Sequence, residues 1–113
     1  MPPSVSIIVP CYNEKSTIRF LLDAILAQSY PYSKIEVVIA DGLSEDNTLA
    51  VIADFQREHP SLTVCVVNNP RRTIPSSLNQ AINIARGEII VRLDAHSIPI
   101  PDYVERCVQT LGA

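Results

Sequence analysis

The sequence predicts an α/β domain built around a parallel β-sheet, and three observations support this. A length of 113 residues allows one compact domain. The composition, 47% hydrophobic and 19% charged, suits a folded core and not a disordered segment. Four short segments rich in Val and Ile alternate with segments of helical periodicity. This alternation implies right-handed crossovers and a sheet covered by helices on both faces.

The first strand–helix unit lies near the amino end of the chain. The β-branched residues 5–9 predict a strand, which is expected to end at Pro10. Apolar residues then recur over 18–26 with the spacing of one helical face. A helix is therefore predicted there.

The second unit begins with a predicted strand at residues 35–40. Ser44 or Asp46 is expected to cap the helix that follows, because a short side-chain oxygen can accept from a free backbone N–H of the first turn. His59 is expected to end this helix. Three residues are predicted to face inward: Leu49, Ile52 and Ala53.

The third and fourth units follow the same order. Residues 62–67 predict a strand, and Pro75 stands where the first turn of a helix accepts proline. Gly87 marks the end of that helix, residues 88–93 predict the fourth strand, and a last helix is expected after Pro101. The inner face of the third helix is predicted to contain Leu78, Ala81, Ile82 and Ala85.

A cluster of polar residues follows each predicted strand, at 12–14, 41–47, 68–72 and 94–96. In a parallel sheet these clusters all lie along the edge formed by the carboxyl ends of the strands. Ligands of open α/β sheets bind there, in the crevice where the strand order reverses. The alternative interpretation is that loops are polar because they are exposed. The acids placed directly behind the strands favour a binding site.

The absence of two glycine-rich motifs excludes a dinucleotide-binding site and a P-loop site. Neither a Gly-x-Gly-x-x-Gly motif nor a Gly-Lys-Ser/Thr loop occurs, so backbone N–H groups are not expected to hold the phosphates. A divalent cation held by Asp94 and His96 is one way to bind phosphate charge. The alternatives are a helix or turn cap for Asp94 and a solvated loop residue for His96.

Charge and cysteine usage narrow the partners and the compartment. A net charge of −3 argues against a nucleic-acid partner. The three cysteines form no Cys-x-x-Cys pair, which argues against a disulfide scaffold or a zinc site and favours a cytoplasmic setting; they are interpreted as small buried apolar residues. No signal peptide follows Met1, and the longest apolar runs are too short to span a bilayer.

Three segments resemble the N-terminal half of family-2 glycosyltransferases: Ser-Ile-Ile-Val-Pro-Cys-Tyr-Asn-Glu at 6–14, Ile-Ala-Asp-Gly-Leu-Ser-Glu-Asp-Asn-Thr at 39–48, and Leu-Asp-Ala-His at 93–96. Residues 72–79 and 85–92 resemble the bacterial succinoglycan-type glucosyltransferase branch. The resemblance implies a GT-A fold, a three-layer Rossmann-like parallel sheet with βα repeats. It also implies transfer of a sugar from a nucleotide diphosphate, usually UDP.

The resemblance assigns roles to residues that match the motifs of the family. Asp41 would accept a hydrogen bond from the uracil N3–H, which neutral cytosine lacks. Arg71 or Arg72 would reach the uracil or the diphosphate, and the sequence leaves open which one does. The first wall of the nucleotide site would contain Pro10, Tyr12, Asn13 and Glu14.

The resemblance also implies a metal. Asp94 and His96 match the two ends of the metal-binding Asp-x-Asp of the family, with histidine in place of the second acid. Imidazole is a good ligand for Mn²⁺, whereas Mg²⁺ prefers oxygen, so Mn²⁺ is favoured over Mg²⁺. Asp94 would thus contact both the metal and the nucleotide. No residue of the chain matches the catalytic base of inverting members.

The expected function is transfer of a hexose, with glucose favoured, from a UDP-sugar to a polysaccharide or lipid-linked saccharide acceptor. Residues 1–113 are expected to be the donor-binding part of a domain truncated at its C-terminus, with contact to the cytoplasmic face of the inner membrane only through absent parts. The alternatives are a nucleotide-binding module without turnover and a sugar nucleotidyltransferase. The latter typically carries a glycine-rich basic loop after its first strand, which this chain lacks. The oligomeric state stays open, although an exposed sheet edge would favour self-association.

Overall fold

The computed structural model describes residues 2–111. The expectations for Met1 and for the end of the predicted domain at Ala113 lie outside the described residues. The strands of the structure are β1 (Val5–Cys11), β2 (Ile35–Asp41), β3 (Thr63–Asn68) and β4 (Ile89–Arg92). The helices are α1 (Ile18–Leu26), α2 (Thr48–Glu58), α3 (Ile74–Ile84) and α4 (Tyr103–Leu111), and a short 3-10 helix lies at Tyr32–Lys34.

The four strands form one parallel sheet in the order β3-β2-β1-β4. Strand β1 pairs with β2 along its whole length, ending at Cys11 opposite Asp41. It pairs with β4 only as far as Ile8 opposite Arg92. Because β1 continues after β4 has ended, a crevice opens between them at the carboxyl edge. This is also where the strand order reverses.

Helices cover both faces of the sheet, which confirms the three-layer α/β prediction. The larger core lies between the sheet and α1, α2 and α4, where Ile7, Leu21 and Phe55 are fully buried. A smaller cluster lies under α3, where Ala81 packs against Ile8, Val38 and Ala40. Among residues 2–111, no helix is long and apolar enough to cross a membrane.

The prediction that β1 ends at Pro10 is wrong, because the strand continues to Cys11. The N–H of Leu93 donates to the carbonyl oxygen of Ile8, so the even-numbered residues of β1 direct their backbone polar groups towards β4. The nitrogen of Pro10 faces the same side, two residues beyond the last pairing with β4. No hydrogen bond is lost there, and the strand tolerates the proline.

Helix α2 is rotated relative to its predicted orientation. Ile52 is buried as predicted, but Leu49 is exposed, and Phe55 takes the inward position instead. His59 follows the last residue of the helix, as predicted. Asn47 occupies the cap position without a side-chain hydrogen bond, and the preceding Asp46 accepts the N–H of Thr48 at 2.9 Å.

The predicted inner face of α3 is correct at Ala81 and wrong at Ile82, which is 50% exposed. The helix packs over β1 and β2 and not over β4, so its buried line passes through Ser77 and Ala81. Ile82 and Ile90 of β4 are left on the uncovered side.

The connection from α3 to β4 passes close to the start of β1. The N–H of Gly87 donates to Ser6 Oγ at 2.7 Å, and the Ser6 hydroxyl donates to the Glu36 carboxylate at 2.5 Å. The same carboxylate accepts the N–H of Arg86 at 2.5 Å. A Cβ atom at Gly87 would lie 2.5 Å from the Ser6 nitrogen, so only glycine fits this contact.

Candidate functional site

A cavity of about 180 Å³ lies in the crevice between β1 and β4 at the carboxyl edge of the sheet. Its lining comes from the loops that follow all four strands. That volume is below the several hundred Å³ of a pocket that encloses a drug-sized ligand. The cavity therefore accommodates part of a nucleotide and not a whole nucleotide sugar. Six predicted site residues line it: Pro10, Tyr12, Glu14, Arg72, Asp94 and His96.

Asn13 does not line the cavity and instead joins the first two loops. Its side-chain oxygen accepts the N–H of Glu45 at 2.8 Å, and its own N–H donates to Ser44 Oγ at 2.9 Å. Its φ of 50° lies in the left-handed region, which asparagine tolerates better than most residues. Asn13 thus fixes the loop after β2 against the loop that carries Tyr12.

Asp41 is fully buried at the end of β2 and does not line the cavity. Its carboxylate accepts the N–H of Ser44 at 2.9 Å and the Ser44 hydroxyl at 2.5 Å. The next residue, Gly42, does line the cavity. Asp41 and Asp94 nevertheless lie at the same edge of the sheet, because Asp41 ends β2 and Asp94 follows β4, the two parallel strands that flank β1.

Arg72 and Arg71 point to different places. The Arg72 guanidinium lies 5.3 Å from the centre of the Tyr12 ring and 3.7 Å from Glu45 Oε1, and its side chain lines the cavity. Arg71 lines a separate groove beside the exposed face of α3. Of the two arginines left open by the sequence, only Arg72 reaches the crevice.

A buried amide holds the loop that carries Arg72. Asn69 is fully buried, and its side-chain nitrogen donates to the Thr73 carbonyl at 3.1 Å and to Ser77 Oγ at 2.6 Å. Its side-chain oxygen accepts from the Ser76 hydroxyl at 2.7 Å. Every polar group of this amide is paired, so the turn before α3 is rigid.

Left-handed backbone occurs in three of the loops around the cavity. Asn13, Leu43 and Arg72 have φ angles of 50°, 62° and 60°. Each such residue other than glycine costs on the order of 1 kcal/mol or more, and this strain is typical of functional sites. The surrounding hydrogen bonds of Asn13, Asp41 and Asn69 hold the loops in these conformations.

Asp94 and His96 lie together on the rim beyond β4. Both side chains are exposed, whereas Leu93 and Ala95 are buried, so the two polar side chains share the outer side of this segment. A turn closes it, since Ser97 donates its N–H to the Asp94 carbonyl at 3.0 Å. Asp94 Oδ1 lies 3.3 Å from the Arg92 guanidinium, which leaves Oδ2 available.

Glu14 lines the cavity on the side opposite Asp94 and His96, and several hydrogen bonds hold it there. Its backbone N–H donates to Thr48 Oγ1 at 2.9 Å, and its Oε2 accepts the Thr17 hydroxyl at 2.7 Å. Its Oε1 faces the Nδ1 atom of His96 at 3.7 Å. The first and fourth loops therefore face each other across the cavity through a carboxylate and an imidazole.

The donor atoms at the rim fit a divalent cation that is completed by a ligand. Among residues 2–111, no three His, Cys, Asp or Glu side chains are grouped closely enough to hold a metal by themselves. Asp94 offers an oxygen and His96 a nitrogen, a mixed pair that suits Mn²⁺. Any cation there needs further oxygens, which a diphosphate can supply.

Cys11 lines the cavity but has no features of a nucleophile. Burial, with the nearby carboxylate of Asp41, raises the pKa of its thiol to about 12. It is therefore protonated at neutral pH and unreactive. The structure contains no disulfide among the described cysteines; Cys11 is buried as predicted, while Cys65 and Cys107 are half-buried.

Ser77 and Ile74 are cavity residues that the sequence did not indicate. Ser77 lies four residues before Ala81, and this spacing of two small residues is the signal that marks the inner line of α3. Ile74 is 53% exposed and carries no recognisable signal of its own.

Comparison with known families matches residues 6–113 to the family described as Glycosyl transferase family 2. A dolichyl N-acetyl-alpha-D-glucosaminyl phosphate 3-beta-D-2,3-diacetamido-2,3-dideoxy-beta-D-glucuronosyltransferase of Methanococcus voltae is 32% identical over 94% of this chain and 33% of its own length. The succinoglycan biosynthesis protein ExoA of Rhizobium meliloti is 34% identical over 91% of this chain and 31% of its own length.

Solved structures show the same fold. The mannosyltransferase PcManGT from Pyrobaculum calidifontis, in complex with GDP-Man and Mn²⁺, is 36% identical with a TM-score of 0.87, over 96% of this chain and 33% of that one. S. aureus TarS in complex with UDP is 26% identical with a TM-score of 0.81, over 96% of this chain and 32% of that one.

These proteins are longer than the chain described here, which spans about a third of each. The structural match extends over nearly all of the chain and includes the parallel sheet with its alternating helices. The fold is that of the N-terminal part of a GT-A glycosyltransferase. Together with the match over residues 6–113, this shows that the chain belongs to glycosyl transferase family 2.

Proposed function

We propose that the chain is the donor-binding part of a metal-assisted hexosyltransferase that uses a UDP-sugar. The observation that carries the proposal is the cavity between β1 and β4, where Tyr12, Arg72, Asp94 and His96 come together from three separate loops. An aromatic ring, a guanidinium and a pair of metal-ligand types are the groups that a nucleoside diphosphate requires.

The base is proposed to bind over Gly42. A Cβ atom there would be in van der Waals contact, at 3.5 Å, with both the Tyr12 ring and the Arg72 side chain, so the slot between them holds no more than a methyl group unless a side chain moves. The Arg72 guanidinium lies only 5.3 Å from the ring centre, so a flat base is proposed to stack on Tyr12 by displacing Arg72, whose guanidinium would then cover the other face of the base. Asp41 lies below this slot, and recognition of the uracil N3–H by its carboxylate requires Ser44 to share or release one of the two oxygens.

The diphosphate is proposed to lie towards Asp94 and His96. When bound there, a divalent cation neutralises the charge that grows on the UDP leaving group as the bond to the sugar breaks. Asp94 and His96 would hold and orient that cation, with Mn²⁺ favoured over Mg²⁺ because of the imidazole. Pro10 and Glu14 complete the wall on the β1 side.

The remaining parts of the reaction are assigned to sequence outside this chain. We propose glucose as the transferred sugar and a polysaccharide or lipid-linked saccharide as the acceptor, on the likeness to the succinoglycan biosynthesis protein. The catalytic base and the acceptor site are proposed to lie in the further length that the relatives possess. The longer protein is proposed to act at the cytoplasmic face of a membrane.

A GDP-sugar is the second candidate donor. The structural relative with 36% identity is described in complex with GDP-Man and Mn²⁺. Guanine also presents ring and amino N–H groups that a buried carboxylate can accept, so Asp41 by itself does not separate uracil from guanine. The slot at Gly42 is narrow, and the smaller pyrimidine fits it with less displacement of Arg72, which favours UDP.

Titration calorimetry with UDP, GDP and CDP, with Mn²⁺ and then with a chelator, tests the proposal. UDP is expected to bind with Mn²⁺, more tightly than CDP, and to lose affinity at least tenfold after chelation, which equals about 1.4 kcal/mol. Tighter binding of GDP than of UDP would select the second candidate. A folded chain, by circular dichroism, that binds none of the three would overturn both.

A further inference from the structure

The carboxylate of Glu14 faces the Nδ1 atom of His96, whose imidazole is proposed to bind the cation. We infer that Glu14 is the positioning residue of His96: its carboxylate accepts the Nδ1–H and so leaves the Nε2 lone pair free for the cation. The inference rests on the proposed function for its purpose, although the hydrogen bond itself can be tested without any ligand.

The carboxylate of Glu14 is held in position by contacts that do not involve His96. The Thr17 hydroxyl binds Oε2 at 2.7 Å, and the backbone carbonyl of Glu14 accepts the N–H groups of Thr17 and Ile18 at 3.1 and 2.9 Å. The Glu14 N–H is held by Thr48 at 2.9 Å. Its Oε1 is therefore the free oxygen of a fixed group, and it points at His96.

His96 supplies the complementary geometry. Its Nδ1 atom is 3.7 Å from Glu14 Oε1, slightly beyond hydrogen-bond distance, and the ring is 65% exposed. A small rotation of this exposed ring closes the gap, since the buried Ala95 anchors only the backbone. With Nδ1 turned to Glu14, Nε2 is the ring nitrogen that remains for a cation in the cavity, which Asp94 also lines.

The consequence for the site is chemical. A free neutral imidazole carries its proton mainly on Nε2, which would block that atom as a ligand. A carboxylate partner reverses the tautomer, orients the ring and makes it a stronger donor to a metal. Arg92 holds Asp94 Oδ1 in the same way, so each proposed ligand has an outer partner.

Long-range ¹H–¹⁵N NMR tests this inference on the ligand-free chain, at about pH 8, well above the ordinary histidine pKa of ~6.5. His96 is expected to show the Nδ1–H tautomer, to change to Nε2–H in Glu14→Ala, and to keep Nδ1–H in Glu14→Gln, whose amide oxygen still accepts. His59, packed against Phe55, is the reference in the same spectrum. Glu45→Ala removes another acid of the rim and is expected to leave His96 unchanged.

Mn²⁺ binding in the presence of UDP, followed by electron paramagnetic resonance, gives the second readout. Glu14→Ala is expected to weaken it about tenfold or more, and Glu14→Gln to restore part of the loss. If wild-type His96 is already Nε2–H, or if Glu14→Ala leaves its tautomer unchanged, the inference fails whether or not UDP binds. If the tautomer changes as expected but Mn²⁺ and UDP do not bind to wild type, the proposed function fails and the positioning contact stands.

Discussion

The Arg72 guanidinium lies over the ring of Tyr12, 5.3 Å from its centre, although the two residues belong to loops after different strands. Glu45 completes this group through Arg72 at 3.7 Å and the Tyr12 hydroxyl at 3.4 Å. The contact spans the slot at Gly42, and Arg72 has a left-handed φ of 60°. The guanidinium and the ring therefore cover each other at the proposed base site, and a base bound on Tyr12 would take the place that Arg72 occupies there.

Replacing Arg72 by lysine keeps the charge but removes the plane and the fork of the guanidinium. We expect Arg72→Lys to weaken UDP binding about tenfold, a loss of roughly 1.4 kcal/mol. Arg71→Lys is the matched control, because Arg71 lines a different groove, and it is expected to change the affinity by less than about twofold. Calorimetry measures both. Equal losses in the two variants would remove Arg72 from its proposed role.

Asp94→Asn tests the proposed metal ligand. An amide oxygen is a weaker ligand than a carboxylate, so UDP affinity in Mn²⁺ is expected to fall about tenfold and to respond little to chelation. Asp102→Asn serves as the control for net charge, since Asp102 pairs with Arg106 near the start of α4. Circular dichroism checks the fold. Unchanged Mn²⁺ dependence in Asp94→Asn would exclude Asp94 as a ligand.

Substitution of the two described glycines is expected to lower stability by different amounts. Gly87→Ala places a methyl group 2.5 Å from the Ser6 nitrogen and is expected to lower the free energy of unfolding by about 3 kcal/mol. Gly42→Ala meets its neighbours at 3.5 Å and is expected to cost less than about 1 kcal/mol. Urea denaturation of both variants measures the difference. If the two variants had similar urea midpoints, the backbone around Gly87 would be able to move away from Ser6 at little cost, which would contradict the prediction.

Asp46 predicts a pH dependence of stability. Burial alone raises its pKa, but hydrogen bonds from Thr48 and Lys15 outweigh that effect and lower the pKa below 3.8. Its stabilising contribution is therefore complete above about pH 4 and is lost as the pH falls through the lowered value. Asp46→Asn is expected to be less stable than wild type at neutral pH and to approach it in acid.

Urea midpoints measured from neutral pH to about pH 2 test this expectation. Asp54→Asn is the control at neutral pH, because its exposed pairing with Arg57 within α2 contributes little. A gap between Asp46→Asn and wild type that stays constant down to the lowest pH would contradict the assignment.

The order of elements and the convergence of the loops could be predicted from the sequence, because alternating strands and helices leave few topologies. Asp94 and Asp41 were expected at one edge, and they lie there. The choice between Arg71 and Arg72 could not be predicted. It depends on the left-handed φ of Arg72 and on the buried amide of Asn69, which are set by contacts with α3.

The side of each helix that is buried also could not be predicted from the spacing of apolar residues alone. Leu49 and Phe55 both fit an apolar stripe, and only the packing of α2 against α1 and the sheet buries the second of them. Ile82 fits the stripe of α3 equally well, yet the helix lies over β1 and β2 and leaves it uncovered. Periodicity gives the existence of a face, whereas its exact direction depends on the neighbouring layers.

Pro10 affects how readily another strand can pair with β1 at the entrance of the crevice. Beyond Ile8, no strand within residues 2–111 pairs with the side of β1 that faces away from β2, and such an edge can pair with an additional strand. At that point the ring nitrogen carries no hydrogen to offer, so an incoming segment would gain no bond from it. Pro10 therefore weakens the pairing of any additional strand with β1 at the entrance of the crevice.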